Sequence, residues 1–158
     1  MYIFQQKKNK FNFINQTNKS KYNPNLIIDN NMITSSPMIA LQSIFKTLSN
    51  EKVFIITVDC PLVLESTINK LIENSKNYDV TIAVDADKQH NLCGVFNRIL
   101  LTKIDNLIKK DIHKINYIIK QTNNYKKIHF KNTEQFINLN TNDDYKKAIN
   151  ISNSYIKY

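Results

Sequence analysis

The chain has 158 residues, 42% of them hydrophobic, which suits one domain spanning residues 1–158 with a core of its own. Its net charge of +9 is carried by scattered Lys, with Arg98 the only arginine; this matches an AT-rich codon bias, and no basic stripe, helix-turn-helix or zinc-finger spacing suggests nucleic acid. No apolar run could span a bilayer and no signal pattern follows Met1, so the expectation is a cytoplasmic protein without a membrane partner.

In chain order, Met1–Phe4 is a short apolar, strand-like start inside an otherwise irregular 1–24 region rich in Lys and Asn. A second strand is predicted over Asn25–Asn30, and it runs into Asp29. Ser36-Pro37 reads as an N-cap followed by proline at the first helical position. Met38, Leu41, Ile44, Phe45 and Leu48 then form one helical stripe, with Asn50 ending the helix.

Val53–Val58 follows, Val/Ile-rich enough for a strand buried on both faces of a parallel sheet. Pro61 cannot join a ladder, so the strand is expected to leave Asp59 at its carboxyl end, where open α/β sheets bind ligands. A lone Asp-x-Pro more often only starts a turn. A carboxylate on a rigid element there also suits a hard cation such as Mg²⁺ bridging phosphates.

Beyond it, Leu64, Ile68, Leu71 and Ile72 predict a helix closing near Asn74, and Val80–Val84 a strand. Asp85–His90 reads as a polar loop, and Leu92–Phe96 as a strand whose Gly94 permits close approach of a ligand or a neighbouring backbone. Helices are predicted over 99–108 and 112–120, the second capped by Asp111. A late strand covers 127–130, and a final helix has Thr141 as N-cap with Asp143 and Asp144 at its positive end. Strands and helices alternate, so the fold class is α/β with a mostly parallel sheet.

Other residue types exclude more than they propose. Cys60 and Cys93 match no metal or redox spacing and read as buried free thiols. His90, His113 and His129 form no ligand spacing and are expected to be surface or satisfied. Gly94 is the chain's single glycine, so neither a Walker loop nor a dinucleotide fingerprint can be built from it.

Three segments occurring in order carry a resemblance: Val53–Pro61 with Asp59, Asn91–Phe96, and Phe136-Ile137-Asn138-Leu139-Asn140-Thr141. Together they resemble the molybdenum cofactor guanylyltransferases, Rossmann-like nucleotidyltransferases with three α/β/α layers. That family shows an Asp-x-Pro after a central strand, a Cys-Gly-Val-Tyr-like strand and an Asn-x-Asn-Thr segment entering the last helix. Ser36-Pro37-Met38 is similar to its Gly-Pro-Leu helix start, and the likeness spans roughly 25–149.

The resemblance implies transfer of GMP from GTP to molybdopterin-bound molybdenum cofactor, with pyrophosphate released and GTP and the molybdenum cofactor as the substrates. It assigns Asp59 to Mg²⁺, Asp29 to the nucleotide, and Asn138 and Asn140 to the molybdenum cofactor or its reacting phosphate. Molybdoenzyme-maturation proteins are the implied partners. Lys114 lies near a basic position of the family, but a lone helical lysine is more often only solvated.

The chain also departs from the family pattern. The usual first strand and glycine-rich triphosphate loop have no counterpart, and Met1–Phe4 resembles the family's second strand. Ser36 and Ala40 replace two usual glycines. The expectation is that this chain alone neither turns over GTP nor stays soluble, and that sequence upstream of Met1 supplies the loop. A non-catalytic or degenerate nucleotidyltransferase fragment and transfer of another nucleotide such as CMP are the alternatives.

Overall fold

The structure, a computed structural model, describes residues 2–6, 25–29, 36–86 and 88–156. They group into two compact units. One comprises residues 1–50 with 101–118, the other 51–100 with 119–158. Most of the irregular 1–24 stretch lies outside the described residues.

In the first unit, β1 (Tyr2–Gln6) pairs in parallel with β2 (Asn25–Asp29). Helix α1 (Pro37–Thr47) starts as its sequence dictates. Ser36 is extended, its Oγ accepts from the Ile39 N–H at 3.2 Å, and Pro37 fills the first turn. Met38, Leu41 and Phe45 of the expected stripe are buried, joined by Ile39. The helix stops at Leu48, two residues before Asn50. Gln42 Nε2 donates to Asp105 Oδ1 at 2.6 Å, tying α1 to α3 (Leu101–Lys109).

Asp111 does not cap the following helix α4, which runs Ile115–Gln121. Its φ of 59° is left-handed, and it ends α3 instead. The Asp111 N–H bonds Ile108 O at 2.9 Å and the Ile112 N–H bonds Leu107 O at 3.0 Å. This pair of bonds is the Schellman closure, in which Asp is one of the few residues able to stand in for glycine.

The second unit holds β3 (Lys52–Ile56), α2 (Glu65–Glu73), β4 (Val80–Asp85), β5 (Lys88–Asn97), β6 (Tyr125–Phe130) and α5 (Asn142–Ile156). Its sheet has the order β3-β5-β4-β6. β3, β4 and β6 run the same way, as an α/β fold predicts. β5 is inverted between β3 and β4, so two of the three pairings are antiparallel.

The strand buried on both faces is β4, all six of whose residues are buried, and not β3. β4 has a hydrogen-bonded neighbour on each side, whereas β3 stands at the end of the order and is only partly buried. Leu71, Ala83, Cys93, Val95, Ile128 and Phe136 form the core cluster, with Phe54, Val63 and Phe130 against it. Ile72, expected on the buried stripe of α2, is largely exposed, and Thr67 takes an inward position instead.

The expected polar loop at 85–90 is a hairpin. Asp85 pairs with Lys88, and Ala86 adopts a φ of 40°. Further along, the register jumps from Ile82↔Gly94 to Ala83↔His90, so Asn91, Leu92 and Cys93 oppose nothing on β4. Such bulges re-aim side chains at sheet ends and beside sites.

Thr141 caps α5 as its position predicts. Its Oγ1 accepts from the Asp144 N–H at 3.2 Å, while Asp144 Oδ2 accepts from the Thr141 N–H at 2.9 Å and the Asn140 N–H at 3.2 Å. This reciprocal box, with an acid at the positive helix end, favours the ionised carboxylate. The Thr141 donors hold the Asp144 pKa below its ordinary value. A group depressed in the folded state contributes stability above its unfolded pKa, and the contribution disappears as pH falls through the folded pKa. The thermal midpoints of wild type and Asp144→Asn should therefore differ near neutral pH and converge below about pH 4. A gap that persists unchanged into acid would remove the charge from the cap.

Candidate active site

β3 ends at Ile56, opposite Cys93, and the chain turns at once. The Cys60 N–H bonds Thr57 O at 3.2 Å, closing a turn with Val58 and Asp59 at its centre. Asp59 therefore lies in a turn three residues past the strand, not on the strand's last residue. Val58 is thrust out, 93% exposed, while Cys60 folds back and is buried.

The turn is gripped by the segment before α5. Leu139 N–H donates to Asp59 O at 2.8 Å. Asn138 Nδ2 donates to Asp59 Oδ2 at 3.4 Å, and Cys60 Sγ donates to Asn138 Oδ1 at 3.0 Å. These residues are 78 and 79 positions apart in the chain. Their bonds fix both ends of one amide, nitrogen towards the carboxylate and oxygen towards the thiol. Asp59 Oδ1 is buried and has no hydrogen-bond partner, and an unmet acceptor of that kind is costly to a fold.

Burial pushes the Cys60 thiol up, with Asp59 adding to the rise against a Thr57 hydrogen bond that lowers it. Cys93 is pushed up to about 12, first by burial and then by Cys60. Both are buried free cysteines, as expected. A protonated Cys60 is the state that donates to Asn138.

The structure thus brings Asp59 and Asn138 together. Asn140 is exposed and faces the α5 cap through its backbone N–H. Asp29 closes β2 in the first unit, and its side chain lies outside the described residues. Among the described residues, no group of three or more His, Cys, Asp or Glu could hold a metal, and no helix is long and apolar enough to cross a membrane.

His90 is satisfied and His129 lies at the surface, whereas His113 keeps a buried Nδ1 without a hydrogen-bond partner. His90 lies 2.8 Å from Asp85 Oδ1 and stacks on Phe136 at 4.3 Å between centroids. His113 pairs with Asp111 at 2.8 Å, and His129 is exposed. Lys114 is exposed too.

Cys60 and Gln135 escaped sequence reasoning. The first carries no spacing signal, and the second is a lone amide whose partners at the start of α2 are 68 and 71 residues away.

Against known proteins, a family model described as MobA-like NTP transferase domain matches residues 14–125. A molybdenum cofactor guanylyltransferase of Campylobacter jejuni subsp. doylei is 34% identical over 113 residues, covering 71% of this chain. The chain spans 59% of that relative's length. A crystal structure of a protein from Aquifex aeolicus VF5 superposes with a TM-score of 0.73 at 29% identity, covering 89% of this chain and 70% of that one. Molybdopterin-guanine dinucleotide biosynthesis protein A from Archaeoglobus fulgidus shares the fold, with a TM-score of 0.68 at 19% identity, covering 85% and 71%.

Proposed function

We propose, from the premise that this chain belongs to the MobA-like NTP transferase family, that it serves the transfer of GMP from GTP to molybdopterin. A phosphate oxygen of the pterin attacks the α-phosphorus of GTP. The bond from that phosphorus to the α–β bridging oxygen breaks, and pyrophosphate leaves with the bond's electron pair. The observation that carries this reading is the Asp59–Asn138 pair at the carboxyl side of β3, with one carboxylate oxygen held and the other unmet.

The unmet Oδ1 fits Mg²⁺, which is commonly bound by one or two protein carboxylates with substrate phosphates and water supplying the rest. A lone carboxylate is therefore compatible with the absence of a three-ligand cluster among the described residues. Mg²⁺, when bound, supplies charge neutralisation at the phosphates.

The chain's own residues do the positioning, the main protein task in phosphoryl transfer. Asn138 holds the Asp59 carboxylate in one orientation, and the Cys60 thiol sets which way the amide faces. Asn138 and Asn140 lie on the segment assigned to the pterin and its reacting phosphate, and Asp29 is assigned to the nucleotide. The molybdenum cofactor would then pass to maturation proteins in the cytoplasm.

The test is transfer of label from α-labelled GTP to molybdopterin, with the glycine-rich strand–loop segment of a relative supplied in trans. Asn138→Ala is expected to lower transfer about tenfold or more while changing the KM for GTP less than about twofold. An equal loss of both, or of neither, would count against the acceptor-side assignment. Label transferred faster from CTP than from GTP would replace guanylyl by cytidylyl transfer.

A further inference from the structure

We propose that Gln135 is a positioning residue that sets the Asp59–Asn138 geometry. The proposal deepens the transfer reading and rests on it only for its activity measurement. Helix α2 begins at Glu65, and its N-cap, Leu64, has no side-chain oxygen to offer the first turn. Helix N-termini leave N–H groups without intrahelical partners. Here a residue from far along the chain serves the helix start.

Gln135, 2% exposed, accepts at Oε1 from the Leu64 N–H at 3.3 Å and from Thr67 Oγ1 at 2.6 Å. Its Nε2 donates to Asn132 O at 3.0 Å. Both ends of the amide are thus engaged in the interior.

Its place in the chain gives the clamp its consequence. Leu64 follows Asp59 by five residues, and Gln135 precedes Asn138 by three. The Gln135 bonds join the two segments at one point, and the Asn138–Asp59 and Leu139–Asp59 bonds join them at another. Short chain lengths close the ring, so a shift at Gln135 must move the amide relative to the carboxylate.

Phe136, the next residue, is stacked on His90 and anchors the segment in the core. That stack fixes its depth, whereas the Gln135 hydrogen bonds set its register against the start of α2. A buried amide costs more than an apolar side chain of similar size unless its bonds are made. Leu or Met would fill the space, so the polar residue is explained by the register it imposes.

The experiment follows the Asn138 side-chain amide by NMR in the 158-residue chain, beside transfer measured as above. Gln135→Met keeps the volume and removes all three bonds. The Asn138 amide resonances are expected to move or broaden, and kcat to fall about tenfold with the KM for GTP held within about twofold. In an Asn138→Ala background the same change should cost no further turnover, whereas a merely structural residue would add its own loss. Thr67→Val, which removes one donor and leaves Gln135 intact, should act in the same direction more weakly, and it decides the matter if Gln135→Met does not fold. Unmoved Asn138 resonances in the folded variants would overturn the proposal whether or not the chain transfers GMP. Moved resonances without any wild-type transfer would fault the transferase reading and leave the positioning role standing.

Discussion

Gly94→Ala is expected to destabilise the second unit by about 3 kcal/mol, the upper end of what overpacking costs. A Cβ on Gly94 would lie on the Thr81 carbonyl oxygen, well inside contact distance, and 3.0 Å from Ile82 Cγ2 and 3.1 Å from Ile82 Cα. Two of those neighbours are backbone atoms of the central strand, so rotamer changes cannot relieve the clash. The chain's only glycine is therefore spent on strand packing beside the bulge, and the close approach expected there is that of a neighbouring backbone. Urea unfolding provides the measurement. The midpoint should fall by about 1 M or more with an unchanged slope. A shift below about 0.3 M would mean that the sheet yields easily at this point.

The features legible in the sequence are those whose chemistry is local. Ser36-Pro37 and Thr141 with Asp144 start their helices because each supplies its bond within four residues. Gly94 stood out because it has no Cβ. Non-local outcomes were harder to read. β3 and β4 are about equally apolar, and only the strand order makes β4 central. The inversion of β5 depends on the turn at Ala86, whose positive φ is normally marked by Gly or Asn. Asp111 had the chemistry of a cap but served the helix before it, a choice made by backbone conformation rather than residue type.

The site divides in the same way. Asp59 was visible through the proline two residues on, and Asn138 through its likeness to a family segment. Cys60 and Gln135 were not, since the hydrogen bonds that tie them to the site join positions 68 to 78 residues apart and leave no mark on spacing. Asn140 was visible for the same reason as Asn138, yet the fold places it on the exposed side of the α5 cap.

Asp59→Asn carries the largest functional effect, because it removes the charge and leaves the shape. Transfer should fall about 100-fold, comparable to the loss of one preorganised electrostatic stabiliser of a transition state. The amide oxygen can still accept from Asn138 Nδ2, so the variant is expected to fold. The most direct measurement is GTP affinity with Mg²⁺ and with EDTA, for wild type and Asp59→Asn, under the conditions of the transfer assay. Wild type should bind about tenfold or more tightly with Mg²⁺, and the variant should show less than about a twofold difference. Equal Mg²⁺ dependence in the two proteins would place the cation elsewhere and contradict the assignment of this site.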